Sequence, residues 1–168
     1  MHLLRITLTA GLLAGAGAAL AAGSAVTVTW GPQAQHDLRN RYGTDQKAVL
    51  QEALLQSLEP QLDKLSLPAG ARVIVMVEHV APTHPTPRQS ADNPSLDPFA
   101  TKYVGGARLR GTIEDADGHA LTAVSYSYYP LTLRLGSVSK DAWADARLAF
   151  ERFASRLAGA VQKLPARR

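Results

Sequence analysis

Apolar and hydroxyl side chains alternate over Val26-Thr27-Val28-Thr29-Trp30, the two-residue period of a strand with one buried face. Gly31-Pro32 ends it, and a polar connection is expected through Tyr42-Gly43. The period then changes. Leu50, Leu54, Leu58, Leu62 and Leu65 recur every three or four residues and so share one helix face. Thr44 or Asp45 supplies the cap oxygen that the first free N–H groups need. Pro60 lies inside the stripe and removes an intrahelical bond, which predicts a kink or a short break. Leu67-Pro68-Ala69-Gly70 turns the chain into a strand over 72–80, with Val73, Val75 and Val77 on one side and Ile74 and Met76 on the other. Apolar residues on both faces place that strand centrally in a sheet.

Residues 81–100 carry Pro82, Pro85, Pro87, Pro94 and Pro98 without periodicity and read as a long loop, a length that goes with either function or disorder. A hairpin follows: strands over 103–114 and 119–129 flank Asp115-Ala116-Asp117-Gly118, whose Asp and Gly suit a turn. If those four residues are the loop, Glu114 opposes His119. Ile113, Gly111, Leu109 and Ala107 then face the core opposite Ala120, Thr122, Val124 and Tyr126. After Pro130 and a Gly136-Ser137 break, Ser139 can cap a second helix. Its stripe is Trp143, Ala146, Phe150, Phe153, Leu157, Val161 and Leu164, with Asp145, Arg147, Glu151, Arg152 and Arg156 toward water and Pro165 as the stop.

The predicted order is β-α-β-β-β-α. The first crossover joins two parallel strands, the hairpin extends them into a mixed four-stranded sheet, and two helices cover one face. The fold class is α+β, a two-layer α/β sandwich.

Composition changes the compartment. Met1 to Arg5 is a short basic start, Ile6 to Leu20 is apolar and rich in Ala and Gly, and Ala19-Leu20-Ala21 has the small-x-small pattern of a signal-peptidase site. Residues 1–21 therefore read as a cleavable signal, and the apolar run is short for a bilayer span of about twenty residues. Residues 22–168 form one domain, exported to the bacterial periplasm or medium with no transmembrane anchor after cleavage. The chain has no cysteine, which excludes disulfides, thiolate catalysis, Cys-ligated zinc and lipidation of an N-terminal cysteine. Once Arg5 leaves with the signal, 17 of the 18 basic residues face 14 acidic ones. That mild, scattered excess shows no basic stripe and no nucleic-acid module, while leaving an anionic envelope polymer as a possible partner.

Several constellations invite chemistry and yield to plainer readings. Asp115, Asp117 and Gly118 match a fragment of a calcium loop but lack the distal bidentate Glu; a hairpin turn explains them. His36, His79, His84 and His119 show no i, i+4 pair of a zinc helix. There is no Gly-x-Ser-x-Gly elbow, Ser-x-x-Lys motif or glycine-rich phosphate loop. Tyr126 and Tyr128 are expected to fill space opposite Ala107 and Gly105, leaving Tyr129 on the other face as the better ligand candidate. No catalytic residue, metal ligand or cofactor is assigned.

The expected working surface is the sheet face left without a helix. Ile74, Met76, Leu121 and Ala123 point there beside Arg108 and Arg110, with Tyr129 at its margin and the 81–100 loop as a partial lid. A non-catalytic binding or accessory protein that meets an envelope protein or anionic polymer on this face is the first functional expectation. The alternative is a small hydrolase-like periplasmic enzyme with its site under residues 81–100.

Val26 to Trp30, Leu67-Pro68-Ala69-Gly70, the 115–118 turn with Gly106 before it, Trp143-Ala144-Asp145-Ala146 and Phe150-Glu151-Arg152-Phe153-Ala154 together thread most of the chain after the leader. In these stretches the sequence resembles small exported bacterial envelope proteins catalogued as a domain of unknown function. The resemblance implies the same element order and compartment and supplies no active site. Many such proteins carry a lipobox cysteine that this chain lacks, so membrane tethering is not implied.

Overall fold

The computed structural model describes residues 25–97, 100–131 and 141–164. The leader, Pro98, the Gly136-Ser137 break, the Ser139 cap and the Pro165 stop lie outside the described residues. No helix among those described is long and apolar enough to cross a membrane.

Four strands form one mixed sheet in the order β1 (Ala25–Trp30), β2 (Arg72–Ala81), β3 (Gly106–Glu114), β4 (Ala120–Tyr128). β1 and β2 are parallel, and the two remaining pairings are antiparallel. The two long helices, α2 (Gln46–Leu62) and α4 (Ala144–Val161), pack on each other and cover one face. This is the α+β sandwich that the periodicity predicts.

Burial follows the predicted stripes. Val73, Val75, Val77, Leu109 and Ile113 from the sheet meet Leu54, Leu58, Phe150, Phe153 and Leu157 from the helices, all fully buried. Each side chain of this size removed from water contributes about 1.5–3 kcal/mol, so this shared layer is what holds helices to sheet. The helix starts are tied by a polar bond inside the core: Trp143 Nε1 donates to Gln46 Oε1 at 2.8 Å. The break expected at Pro60 is absent: α2 runs through it and ends two residues later, and Leu65 and Leu67 pack on the core from the following turn.

Three local readings change. Residues 32–42 are not an irregular connection: α1 (Pro32–Asp37) runs into a π-helical turn (Leu38–Tyr42), closed by Gly43 N–H donating to Leu38 O at 2.9 Å. Pro32 at the first helical turn and the buried Ala34, Leu38 and Tyr42 at spacings of four explain it.

The 81–100 segment is also built rather than irregular. β2 continues to Ala81, residues 82–86 are buried, and α3 (Pro87–Asp92) starts with a capping box between Thr86 and Gln89. Thr83 Oγ1 donates to Asp145 Oδ2 and accepts from Asp145 N–H, while Thr83 N–H donates to Ala142 O. Arg88 donates to Arg39 O. These bonds tie the segment to the start of α4 and to the π turn, not across the open sheet face.

Beyond the first two residues of β4 the hairpin keeps its faces but not its predicted partners; Ala120, expected on the core side, is exposed. Ala107, Leu109, Gly111 and Ile113 oppose Tyr128, Tyr126, Val124 and Thr122, two residues further along β4 than the four-residue turn implies. Asp115 N–H donates to His119 O and the register shifts between Ile113 and Glu114, so a bulge absorbs the difference. A shift of two residues preserves the pleat and hence which side chains face the core. Tyr128 and Tyr126 point to the helix layer, where Arg152 and Arg156 of α4 stack over their rings at 4.5 and 4.6 Å. Both arginines remain exposed on the wet side of α4, as expected, while their guanidinium planes cover the rings.

Candidate functional site

The parallel strands β1 and β2 end on the same side of the sheet, and α1 leaves from there. In open α/β sheets this carboxyl end is where ligands usually meet the fold. Three polar side chains from distant stretches converge on it. His79 comes from the end of β2, just past a bulge between Val77 and His79. Tyr129 comes from the residue after β4 and reaches across β3, where its hydroxyl is hydrogen-bonded to His79 Nδ1. Asp37 closes α1, with Oδ2 3.8 Å from His79 Nε2.

Gly106 makes the crossing possible. A Cβ there would strike the Tyr128 carbonyl and come within 2.7 Å of Tyr129 Cδ1, and its φ of 148° is one that side-chain-bearing residues rarely adopt.

Asp37 is buried, and its carboxylate is surrounded by donors. Gln33 Nε2 bonds Oδ2 at 2.8 Å, Arg41 Nη1 lies 3.6 Å from Oδ1 and His36 Nδ1 lies 3.5 Å from it. Gln33, Asp37 and Arg41 sit four residues apart and share one side of the α1–π segment, while Ala34, Leu38 and Tyr42 share the buried side.

The local field keeps the ring and phenol neutral. Desolvation by burial pushes the His79 pKa below its ordinary value; Asp37 opposes that shift, while Arg108 and Arg41 add to it. Burial likewise pushes Tyr129 up to about 12, with Arg108 pulling the other way and Tyr42 adding to the rise. Tyr42, desolvated in the same cluster, is also raised. At neutral pH the tyrosine holds its proton.

The open face of the sheet runs away from this cluster. Ile74 is flanked by Thr27 and Thr112, and Met76 by Thr29 and Arg110; Ala123, Ser125 and Ser127 complete it on β4. Met76 is 39% exposed. Three arginines stand on this face. Arg72 pairs with Glu114 at 3.7 Å and Arg108 with Glu78 at 3.3 Å, whereas Arg110 pairs with no carboxylate among the described residues.

Of the candidates named from sequence, Ile74, Met76, Arg108 and Arg110 share this face, and Tyr129 stands at its end. Leu121 does not join them. It falls in the bulge between the Ile113–Thr122 and Glu114–Ala120 pairs, packs against the core and lines a cavity with Val161 and Leu164. Bulges re-aim the side chain they carry.

Asp37 and the pairing of His79 with Tyr129 were missed. The i, i+4 order of Gln33, Asp37 and Arg41 beside an apolar stripe was a readable signal for the first. The second joins residues fifty positions apart and had none.

At the hairpin tip, Asp115 Oδ1 accepts from the N–H groups of Asp117 and His119, as an Asx turn requires. Asp115, Asp117 and His119 also lie close enough to share a cation, but the turn accounts for their proximity.

No family model matches the sequence, and no curated protein does. Among solved structures, the chain is similar to a minor lipoprotein from Acinetobacter baumannii, with 13% identity and a TM-score of 0.35 over 84% of this chain and 96% of that one.

Proposed function

We propose that the chain is exported, trimmed after Ala21, and works in the bacterial envelope as a non-catalytic binding protein whose open sheet face takes a partner carrying anionic groups. The observation that supports this most is Arg110. It stands exposed near the middle of a face flanked by threonines, serines and Met76, and it lacks the carboxylate that its two neighbouring arginines have. A guanidinium presents a planar fork of donors suited to carboxylate or phosphate oxygens. The His79–Tyr129 pair, with Asp37 behind it, gives the face a rigid margin.

Two measurements test the reading. N-terminal sequencing of the exported product should begin at Ala22; a product retaining Leu12 and Leu13 refutes the trimming. Titration with dextran sulfate, a soluble polyanion, should show Arg110→Glu binding several-fold more weakly, in keeping with about 0.2–1 kcal/mol for an exposed charge pair lost and a similar repulsion gained. Lys163→Glu makes the same change in net charge on the last turn after α4. Equal weakening by both variants would mean that net charge, not this face, does the binding.

A further inference from the structure

At the opposite end of the fold from the His79 cluster, α2 and α4 both finish and β4 begins. A cavity of about 740 Å³ opens there. Its volume lies in the range of about 300–1,000 Å³ typical of small-molecule sites. Leu65, Leu67, Leu121, Val161 and Leu164 line it, and all five pack on the hydrophobic core, so the cavity is an opening into the end of that core. Protein interiors are otherwise close-packed, and apolar walls left without partner atoms forfeit dispersion energy that an apolar guest restores.

The polar part of the lining is equally selective. Among the described residues it contains no carboxylate and one charged group, Lys64, with Ser66 and Gln162 beside it. The helix-end carbonyls that could attract a cation are already engaged: Leu62 O accepts from Leu65 N–H, Ala160 O from Lys163 N–H, and Val161 O from Leu164 N–H. An apolar body with one anionic head fits this pattern. A cationic ligand finds no carboxylate there to pair with among the described residues.

We infer that this cavity binds one fatty acid of about twelve carbons, its alkyl chain among Leu65, Leu67, Leu121, Val161 and Leu164 and its carboxylate at the Lys64 ammonium. Nothing in this assignment depends on the open sheet face.

The test is calorimetric titration of the full chain with dodecanoate below its micelle concentration, with dodecyltrimethylammonium as the head-group control. Saturable binding of one dodecanoate per chain is expected, with little binding of the cationic analogue. Lys64→Glu should weaken dodecanoate by about threefold or more, the sum of a lost attraction and a gained repulsion at an exposed site. Leu121→Trp should fill the cavity and abolish binding without lowering Tm. Leu67→Trp fills it from another wall and serves if the first variant does not fold. The inference fails if dodecanoate does not saturate, if the cationic analogue binds equally, or if both tryptophan variants bind as before. It also fails if the chain is a dimer that Leu121→Trp dissociates, because the occupant is then a second copy.

Discussion

Gly111 lies on the core face of β3, between Val75 and Val124, with the α4 layer directly above it. A Cβ added there would sit 2.7 Å from Phe153 Cζ and 3.2 Å from Leu157 Cδ1. Phe153 is fully buried, so its ring has no free space to retreat into. Gly111→Ala relieves the entropic cost of a strand glycine, about 0.5–1 kcal/mol, but overpacking costs about 1–3 kcal/mol. The net expectation is a loss of about 1 kcal/mol. Phe153→Ala alone should cost about 3–5 kcal/mol, because the strand beneath it has no side chain to fill the gap. For a domain of about 150 residues this lowers Tm by roughly 6–20 °C. In the Phe153→Ala background the added methyl meets a void, and Gly111→Ala should stabilise by about 0.5 kcal/mol. Urea unfolding of the four proteins closes the cycle. The coupling should be about 1–2 kcal/mol in the favourable sense, well beyond the 0.3–0.5 kcal/mol scatter of independent sites. Additivity would show that α4 does not rest on Gly111, and the packing described here would be wrong.

Two further outcomes follow from the polar contacts. Because burial holds the His79 pKa below its unfolded value, the unfolded chain takes up the proton first as pH falls below about 6.5; stability should then decline until the folded-state pKa is passed. His79→Gln should flatten that part of the stability–pH curve measured by urea unfolding between pH 8 and 5, and an unchanged slope would remove His79 as its source. Thr83→Val keeps the shape of the side chain but deletes both bonds to Asp145, leaving a buried carboxylate short of a donor; a loss of about 1–3 kcal/mol is expected, and a neutral result would contradict the anchoring of residues 82–86 to α4.

That last point reshapes how the proline-rich segment should be probed. Its composition suggested a separable lid over the sheet. Its buried residues and its bonds to Ala142, Asp145 and Arg39 make it part of the wall instead, so deleting it would disturb the fold before it reported on binding. Prolines and missing periodicity describe a chain without regular hydrogen bonds of its own. They do not say whether side chains elsewhere supply them.

The two long helices and four strands were legible because burial of one face imposes a period, and a period survives in the residue order whatever the partner. Leu54, Leu58, Phe150 and Phe153 were assigned to the core on that ground alone and are buried. The pleat of the hairpin was legible for the same reason, since parity is unchanged by a two-residue shift. The exact partners were not, because the bulge beside Asp115 depends on how the turn closes. One residue inside that bulge was enough to move Leu121 from the open face to the core side.

What the order of residues determined by itself was therefore the two long helices and four strands, most of their buried faces and the absence of cysteine chemistry. The tertiary structure alone decided the rest. Asp37, His79 and Tyr129 belong to three separate elements, and no local pattern couples them; they meet because β1 and β2 are parallel, α1 leaves from their common end, and Gly106 leaves room for a ring to cross β3. A periodic signal is written by solvent on each element separately. A site is written by where those elements come to rest against one another.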